Sequence, residues 1–113
     1  MNKQFSNQPL VSIIMNCYNG EDYLCESIES VLSQTYKKWE LIFIDNNSSD
    51  NSKKILYEYK DKRIFYFKSK KTLNLGRARQ LAFNKCRGDF ITFLDTDDLW
   101  SKNKLKIQIN KLK

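Results

Sequence analysis

Four short apolar runs divide the chain and predict its strands. They are residues 11–15 (VSIIM), 41–44 (LIFI), 64–67 (IFYF) and 90–94 (FITFL). Continuous runs rich in branched and aromatic residues are typical of strands buried on both faces of a parallel sheet. The third run has basic neighbours, which indicates a position near an edge of that sheet.

After each run, apolar residues repeat at helical spacing and predict four helices. Their apolar positions are Leu24, Ile28, Val31 and Leu32, then Ile55, Leu56 and Tyr59, then Leu75, Ala78, Ala82 and Cys86, and finally Leu105, Ile109 and Leu112. We expect residues 48–51 to cap the second helix and Gly88 to close the third. Right-handed crossovers then predict a doubly wound, mostly parallel α/β fold, with the third strand at one edge and the fourth at the other.

Length and composition exclude several classes of protein. The 113 residues, 41% of them hydrophobic, suffice for one packed domain and not for two, so residues 1–113 are expected to form a single domain. Histidine is absent, which excludes imidazole-based catalysis and His-ligated zinc. No apolar run approaches the roughly 20 residues of a membrane span, and the polar start lacks a signal-peptide pattern. We therefore expect a cytoplasmic protein.

The positive charge is concentrated in two segments. Residues 60–71 hold six basic residues and one acid, and residues 101–113 hold five lysines and no acid. The two segments sum to +10 within a net charge of +7, so the remaining residues are net acidic. One interpretation is attraction to phosphate or to an anionic membrane face, and the other is that lysines solvate two exposed elements.

Polar residues follow three of the predicted strands, at residues 16–20, 45–50 and 95–98. In open α/β sheets ligands bind at the carboxyl ends of the strands. A tyrosine ring can stack on a base, an amide or carboxylate can bond to a base or ribose, and clustered carboxylates can hold a divalent cation. Together the three segments indicate a metal-bound nucleotide, although each alone is also what loops and helix caps use.

The DTDD segment places three carboxylates, Asp95, Asp97 and Asp98, directly after an apolar strand. Such carboxylates repel one another unless a positive charge lies among them. Oxygen ligands without nearby His or Cys favour Mg²⁺ or Mn²⁺ over zinc. Such an ion would stabilise the diphosphate that leaves when a sugar is transferred.

Four segments in this order and spacing closely resemble the family 2 glycosyltransferases with the GT-A fold: VSIIMNCYNGEDYL, SVLSQTY, ELIFIDNNSSDNS and GDFITFLDTDDLW. The resemblance runs from about residue 11 to residue 105. It implies a nucleoside diphosphate sugar, in the first place a UDP-sugar, as donor and Mn²⁺ or Mg²⁺ as cofactor. It also implies inverting transfer to a glycan or lipid-linked glycan, at the inner face of the membrane, with no nucleic acid partner.

The resemblance also implies roles for individual residues. Tyr18 would pack against the base, Asp45 would lie in the nucleotide pocket with Asn46 beside it, and Arg79 would lie near the charged part of the donor. The family often has Asp where this chain has Asn46, which leaves the base preference open because an amide can still bond to a pyrimidine edge.

Two acids and the length of the chain complete this comparison. Asp95 and Asp97 match the DxD pair, with Asp95 expected near the ribose or sugar and as a metal ligand, and Asp97 expected on the metal. Family members continue past this block with a half that binds the acceptor and supplies the carboxylate base. We therefore expect no catalytic base within residues 1–113 and no sugar transfer by this chain alone.

Two other functions and one assembly follow from the same residues. A phospho-acceptor receiver domain needs carboxylates after its first strand, where this chain has Asn16, Cys17 and Tyr18, so that function is disfavoured. A non-catalytic module that binds nucleotide, nucleic acid or anionic lipid stays open. The fourth strand has no Lys or Pro to protect its edge, which predicts a homodimer or a swapped assembly.

Overall fold

The computed structural model describes residues 8–112, and within them strands and helices alternate along the chain. The strands are β1 (Val11–Cys17), β2 (Trp39–Asp45), β3 (Ile64–Lys68) and β4 (Phe90–Phe93). The helices are α1 (Glu21–Leu32), α2 (Ser52–Tyr57), α3 (Leu75–Lys85) and α4 (Lys104–Leu112). The predicted order of elements is confirmed.

The four strands form one sheet in the order β3-β2-β1-β4, and every pairing is parallel. In register, Val11 lies between Trp39 and Phe90, and Leu41 lies opposite Ile64. The prediction that the third and fourth strands form the two edges is therefore confirmed. Because the strands are parallel, the loops that follow them all emerge at the same end of the sheet.

The core lies on both faces of β1 and β2. On one face Ile13, Met15, Leu41 and Phe43 pack in a cluster with α1, α2 and α4, to which Leu24, Ile28, Val31, Leu56, Leu105 and Ile109 belong. On the other face Ile14, Ile42 and Ile44 pack with Ala82 of α3. Burying one such large side chain contributes about 1.5 to 3 kcal/mol. Helices cover both faces, so the doubly wound fold is confirmed.

Gly88 does not close the third helix, and that prediction is wrong. Helix α3 ends at Lys85, and its C-cap Cys86 has extended backbone angles. Gly88 instead lies against β1, where an added Cβ would be 2.5 Å from Ser12 Oγ and 2.9 Å from the Leu10 carbonyl oxygen. The glycine is therefore required by close backbone approach and not by a left-handed cap.

A buried carboxylate joins this connection to the amino end of the sheet. Glu40, only 2% exposed, accepts hydrogen bonds from Ser12 Oγ at 2.6 Å and from the Arg87 backbone amide at 2.7 Å. The Arg87 guanidinium also donates to Glu40 at 3.1 Å, and Ser12 Oγ accepts from Gly88 at 2.8 Å. These bonds hold the start of β4 beside β1, at the end of the sheet opposite the polar loops.

Candidate functional site

The loops after β1 and β2 are hydrogen-bonded to each other. Asn19, which has a left-handed φ of 50°, accepts from the amides of Ser49 at 2.8 Å and Asp50 at 3.3 Å through its Oδ1. In return Asp50 accepts from the Glu21 amide at 3.1 Å. Asn tolerates the left-handed region better than most residues. The first two loops therefore form one rigid surface at the carboxyl end of the sheet.

Asp50 receives enough hydrogen bonds to remain ionised well into the acidic range. Burial opposes its ionisation, but bonds from Ser52 and from the Glu21 amide outweigh burial and hold the pKa of this carboxyl below its usual value. Asp50 Oδ1 accepts from the Ser52 amide at 3.0 Å, at the start of α2. The expectation that residues 48–51 cap the second helix is thus met through Asp50, whereas the N-cap residue Asn51 makes no side-chain cap bond.

Asp45 lies at the end of β2 with its carboxylate turned into the protein. It is 2% exposed; Oδ1 accepts from the Ser48 amide at 2.9 Å and Oδ2 accepts from the Tyr66 hydroxyl at 2.6 Å. Burial first, and then the bond to Asp45, raise the pKa of Tyr66 well above its ordinary value, so the hydroxyl remains a donor. Asp45 supports the loop after β2, and its contact with a nucleotide stays a prediction.

The Asn46 side chain is hydrogen-bonded to the connection between β3 and α3. Its Nδ2 donates to the Leu73 carbonyl at 2.8 Å, and its Oδ1 accepts from the Leu73 amide at 2.8 Å and from Ser69 Oγ at 3.2 Å. These bonds determine which end of the amide is nitrogen. Three of the four hydrogen-bonding positions of the amide are used, which leaves one N–H free to donate to a ligand.

Tyr18 and Arg79 both lie at the same end of the sheet. Tyr18 directly follows β1, and its side chain is 59% exposed. Arg79 projects from α3, with its guanidinium carbon 5.1 Å from the centre of the Phe93 ring, at the last residue of β4. The structure therefore brings an exposed ring and an exposed cation to the edge where the acids begin.

The acids follow β4 in an exposed turn. The side chains of Asp95, Asp97 and Asp98 are exposed and make no hydrogen bond or ion pair to any other residue within residues 8–112. No group of three metal-ligating side chains converges in that part of the chain. One or two carboxylates together with substrate phosphates are nevertheless a usual set of ligands for Mg²⁺. The donor set, oxygen only and free of competing partners, fits a hard divalent cation.

Ser27 was not predicted, although it contacts the turn that carries the acids. This α1 residue is fully buried, and its hydroxyl lies 2.8 Å from the Thr96 carbonyl oxygen and 2.5 Å from that of Asp98. The available signal was a serine on the buried face of an amphipathic helix. A helical wheel places Ser27 beside Leu24 and Ile28, where an apolar residue would be expected.

The family model described as Glycosyl transferase family 2 matches residues 12–113. The chain belongs to this family. It is 45% identical over 103 residues to a UDP-Glc:alpha-D-GlcNAc-diphosphoundecaprenol beta-1,3-glucosyltransferase of Escherichia coli, with 91% of this chain and 41% of that protein covered. It is 38% identical over 104 residues to a putative teichuronic acid biosynthesis glycosyltransferase of Bacillus subtilis, with 90% and 41% covered.

Solved structures agree with this family assignment. The crystal structure of residues 1–349 of TarS from S. aureus in complex with UDP matches with a TM-score of 0.84 and 28% identity, over 88% of this chain and 31% of that chain. The expected GT-A fold is confirmed. The chain spans about two fifths of the length of the Escherichia coli and Bacillus subtilis relatives. Within residues 8–112 no helix is both long and apolar enough to span a bilayer.

Proposed function

We propose that this chain is the donor-binding part of a glycosyltransferase that uses a nucleoside diphosphate sugar, in the first place a UDP-sugar. The observation that carries the proposal is the family match over residues 12–113, combined with an exposed ring, an exposed cation and exposed acids at one end of the sheet. The TarS structure that resembles this chain is a complex with UDP, which supports uridine as the nucleoside.

The base and ribose would be held by the first two loops. The exposed Tyr18 ring offers a face for stacking, which is worth about 1 kcal/mol. Asn46 has one free N–H, which would donate to a carbonyl of the base, and its orientation is fixed by Leu73. Asp45, in the same pocket, supports the loop after β2 through its bond from the Ser48 amide. The Asn46 amide can donate to a carbonyl group of the base, whereas an Asp at this position would accept from a ring N–H of the base.

The diphosphate would lie beside the acids, with a divalent cation between them. Transferases of the GT-A type typically depend on such a cation. Asp97, with Asp95, would hold Mn²⁺ or Mg²⁺, since both side chains are exposed and without partners among residues 8–112. When bound, the cation supplies neutralisation of the diphosphate charge. Arg79 would add a second positive charge on the donor, from its place over Phe93.

Acceptor binding and the catalytic base belong, in this proposal, to sequence outside residues 1–113. The chain covers 41% of the Escherichia coli relative, whose name specifies a diphosphoundecaprenol-linked acceptor. That name supports a lipid-linked glycan as the acceptor. Inversion at the transferred sugar and a location at the inner face of the membrane are proposed from the family resemblance alone. The chain alone would bind the donor without transferring its sugar, which keeps donor binding and catalysis separable.

Calorimetric titration with UDP, with and without Mn²⁺, tests the proposal. We expect binding that needs Mn²⁺, because the acids otherwise repel the phosphates. Asp97→Asn should remove most of the Mn²⁺ dependence. Tyr18→Ala, which leaves the acids in place, should weaken UDP binding by about 1 kcal/mol.

Two outcomes of that titration would contradict the proposal. Equal UDP affinity in excess chelator would exclude a role for the cation. Affinity that falls steeply with monovalent salt and shows no preference for UDP over other polyanions would favour the non-catalytic anion-binding module.

A further inference from the structure

Helix α1 presents three residues at a seven-residue spacing to the segment that carries the acids. Gly20 precedes the helix, Ser27 lies in its middle, and Gln34 follows its C-cap. Seven residues make about two turns of an α-helix, so the three positions fall on one side of it. Each of them contacts the chain between residues 95 and 105.

The Ser27 hydroxyl is the centre of this contact. Three carbonyl oxygens of the turn surround it: Thr96 at 2.8 Å, Asp98 at 2.5 Å and Asp95 at 3.4 Å. The Asp95 carbonyl already accepts from the Asp98 amide at 3.0 Å, so the single proton of the hydroxyl is shared between the Thr96 and Asp98 carbonyls. Ser27 is fully buried, and water cannot replace its hydroxyl without a change of structure.

Gly20 and Gln34 hold the same segment at its two ends. A Cβ added to Gly20 would be 2.8 Å from Thr96 Oγ1 and 3.0 Å from Thr96 Cβ, so the turn rests directly on the glycine. Gln34, also fully buried, donates to the Ser101 carbonyl at 2.7 Å and accepts from the Leu105 amide at 3.1 Å. The segment is thus attached to α1 along its whole length.

The sheet supports this turn on one side only. Strand β4 ends at Phe93 and pairs only with β1 within the described chain, and the last bond to β1 runs from the Leu94 amide to the Ile14 carbonyl at 2.9 Å. Beyond that bond, the acid side chains have no partner among residues 8–112 that could hold them in position. Among the described residues, the hydrogen bonds from another element to the backbone of residues 95–98 come from Ser27 of α1.

We infer that Ser27 is a positioning residue for the acids: its hydroxyl holds the backbone of residues 95–98 so that the carboxylates are presented together to a cation. This inference rests on the proposed function for its ligand, a divalent cation with a nucleoside diphosphate. The attachment of the turn to Ser27 does not depend on that ligand. The buried hydroxyl supports the carboxylates through the carbonyl groups of their backbone. Groups outside the ligand shell act in the same way in other metal sites.

Ser27→Ala and Ser30→Ala form a matched pair for the test. Within residues 8–112 the Ser30 hydroxyl bonds only to the Ser27 carbonyl of its own helix, at 2.7 Å, so its loss removes a hydroxyl without touching the turn. The Asp98 amide is the readout, because it donates to the Asp95 carbonyl at 3.0 Å within the turn. Its hydrogen exchange should rise at least about tenfold in Ser27→Ala and stay unchanged in Ser30→Ala. The β1 and β2 amides report whether the variant is folded, and they should remain protected in both.

Titration of each variant with UDP gives the second readout. With Mn²⁺ present, Ser27→Ala should bind UDP about tenfold more weakly than the wild type, whereas neither protein should bind UDP in excess chelator. Gly20→Ala, which pushes the turn away without removing a buried donor, should show the same pattern. It serves as the second variant if Ser27→Ala does not fold.

The two readouts separate the inference from the proposed function. Unchanged exchange of the Asp98 amide in Ser27→Ala overturns the inference, and so does faster exchange with no loss of Mn²⁺-supported affinity. If the wild type binds no UDP at all, the proposed function fails, and the exchange comparison alone then decides whether Ser27 holds the turn.

Discussion

At the scale of single residues, Asn46 differs from the usual pattern of the family, which often has Asp at this position. Its amide both donates to and accepts from the backbone of Leu73, each at 2.8 Å. A carboxylate at this position could accept from the Leu73 amide, but it has no proton for the Leu73 carbonyl. The amide therefore holds the connection between β3 and α3 in a way that an Asp cannot.

Asn46→Asp should loosen that connection. The Leu73 carbonyl would lose its donor and face a negative oxygen, at a cost of about 1 kcal/mol or more. Trypsin should then cut faster after the exposed residues Lys70 and Lys71, and gel analysis of a digestion time course measures this. Asn47→Asp is the control, since it makes the same change at the adjacent residue. The Asn47 amide makes only a long hydrogen bond, 3.4 Å to Thr72 Oγ1. Equal cleavage rates in the two variants would mean that the bonds between Asn46 and Leu73 do not stabilise this connection.

At the scale of elements, Glu40 joins the start of β4 to β1 and β2, and its contacts differ in burial. Ser12 Oγ and the Arg87 amide donate to it in the interior, whereas the Arg87 side chain is 69% exposed. Exposed ion pairs contribute about 0 to 1 kcal/mol, but an unsatisfied buried group costs about 1 to 3 kcal/mol. The buried bonds, rather than the ion pair, should therefore determine the stability of this joint.

Glu40→Ala should lower the free energy of unfolding by about 2 kcal/mol, because it leaves the Ser12 hydroxyl and the Arg87 amide without the carboxylate oxygen to which both donate. Arg87→Ala should lower it by less than about 1 kcal/mol, because it leaves both buried bonds in place. Urea denaturation of the two variants compares them directly. A loss in Arg87→Ala as large as that in Glu40→Ala would show that the exposed pair carries the stabilisation.

The elements themselves followed from the sequence because their cause is local. The runs at residues 11–15 and 41–44 are apolar except for Ser12 because β1 and β2 are buried on both faces, and the helices show the period that one buried face requires. Gly88 could not be interpreted in this way, since its requirement comes from Ser12, 76 residues away. The hydrogen bond from Asn46 to Leu73 likewise joins residues that are 27 positions apart in the chain.

In the candidate site, too, local features could be predicted and contacts between distant residues could not. The residue types at the strand ends predicted a candidate site at the carboxyl end of the sheet, because a parallel sheet brings these ends together. The contacts that hold these segments could not be predicted: Tyr66, which bonds to Asp45, and Ser27, which bonds to the backbone of the acid turn, lie on other elements. Such supports become visible only when the elements are packed.

At the scale of the whole molecule, β4 is an open edge. It pairs with β1 alone in the described chain, and Ile91 and Phe93 on it are 40% and 41% exposed. Lys111 lines the groove beside this strand, so a like charge stands near any approaching copy. Association through β4 would combine apolar burial with repulsion between chains of net charge +7.

We therefore expect a reversible homodimer that strengthens as salt screens this repulsion. Sedimentation velocity over a concentration series, at low and at moderate salt, measures the effect. Ile91→Lys should restore the monomer, because it places a charge on the open strand, whereas Tyr23→Lys, at a 58% exposed position on α1, should not. A dimer that survives Ile91→Lys would place the contact on another surface, such as the outer face of α4 around Leu112. A wild type that stays monomeric at high concentration, with fast exchange of the β4 amides, would mean that charge repulsion outweighs the open edge under all these conditions.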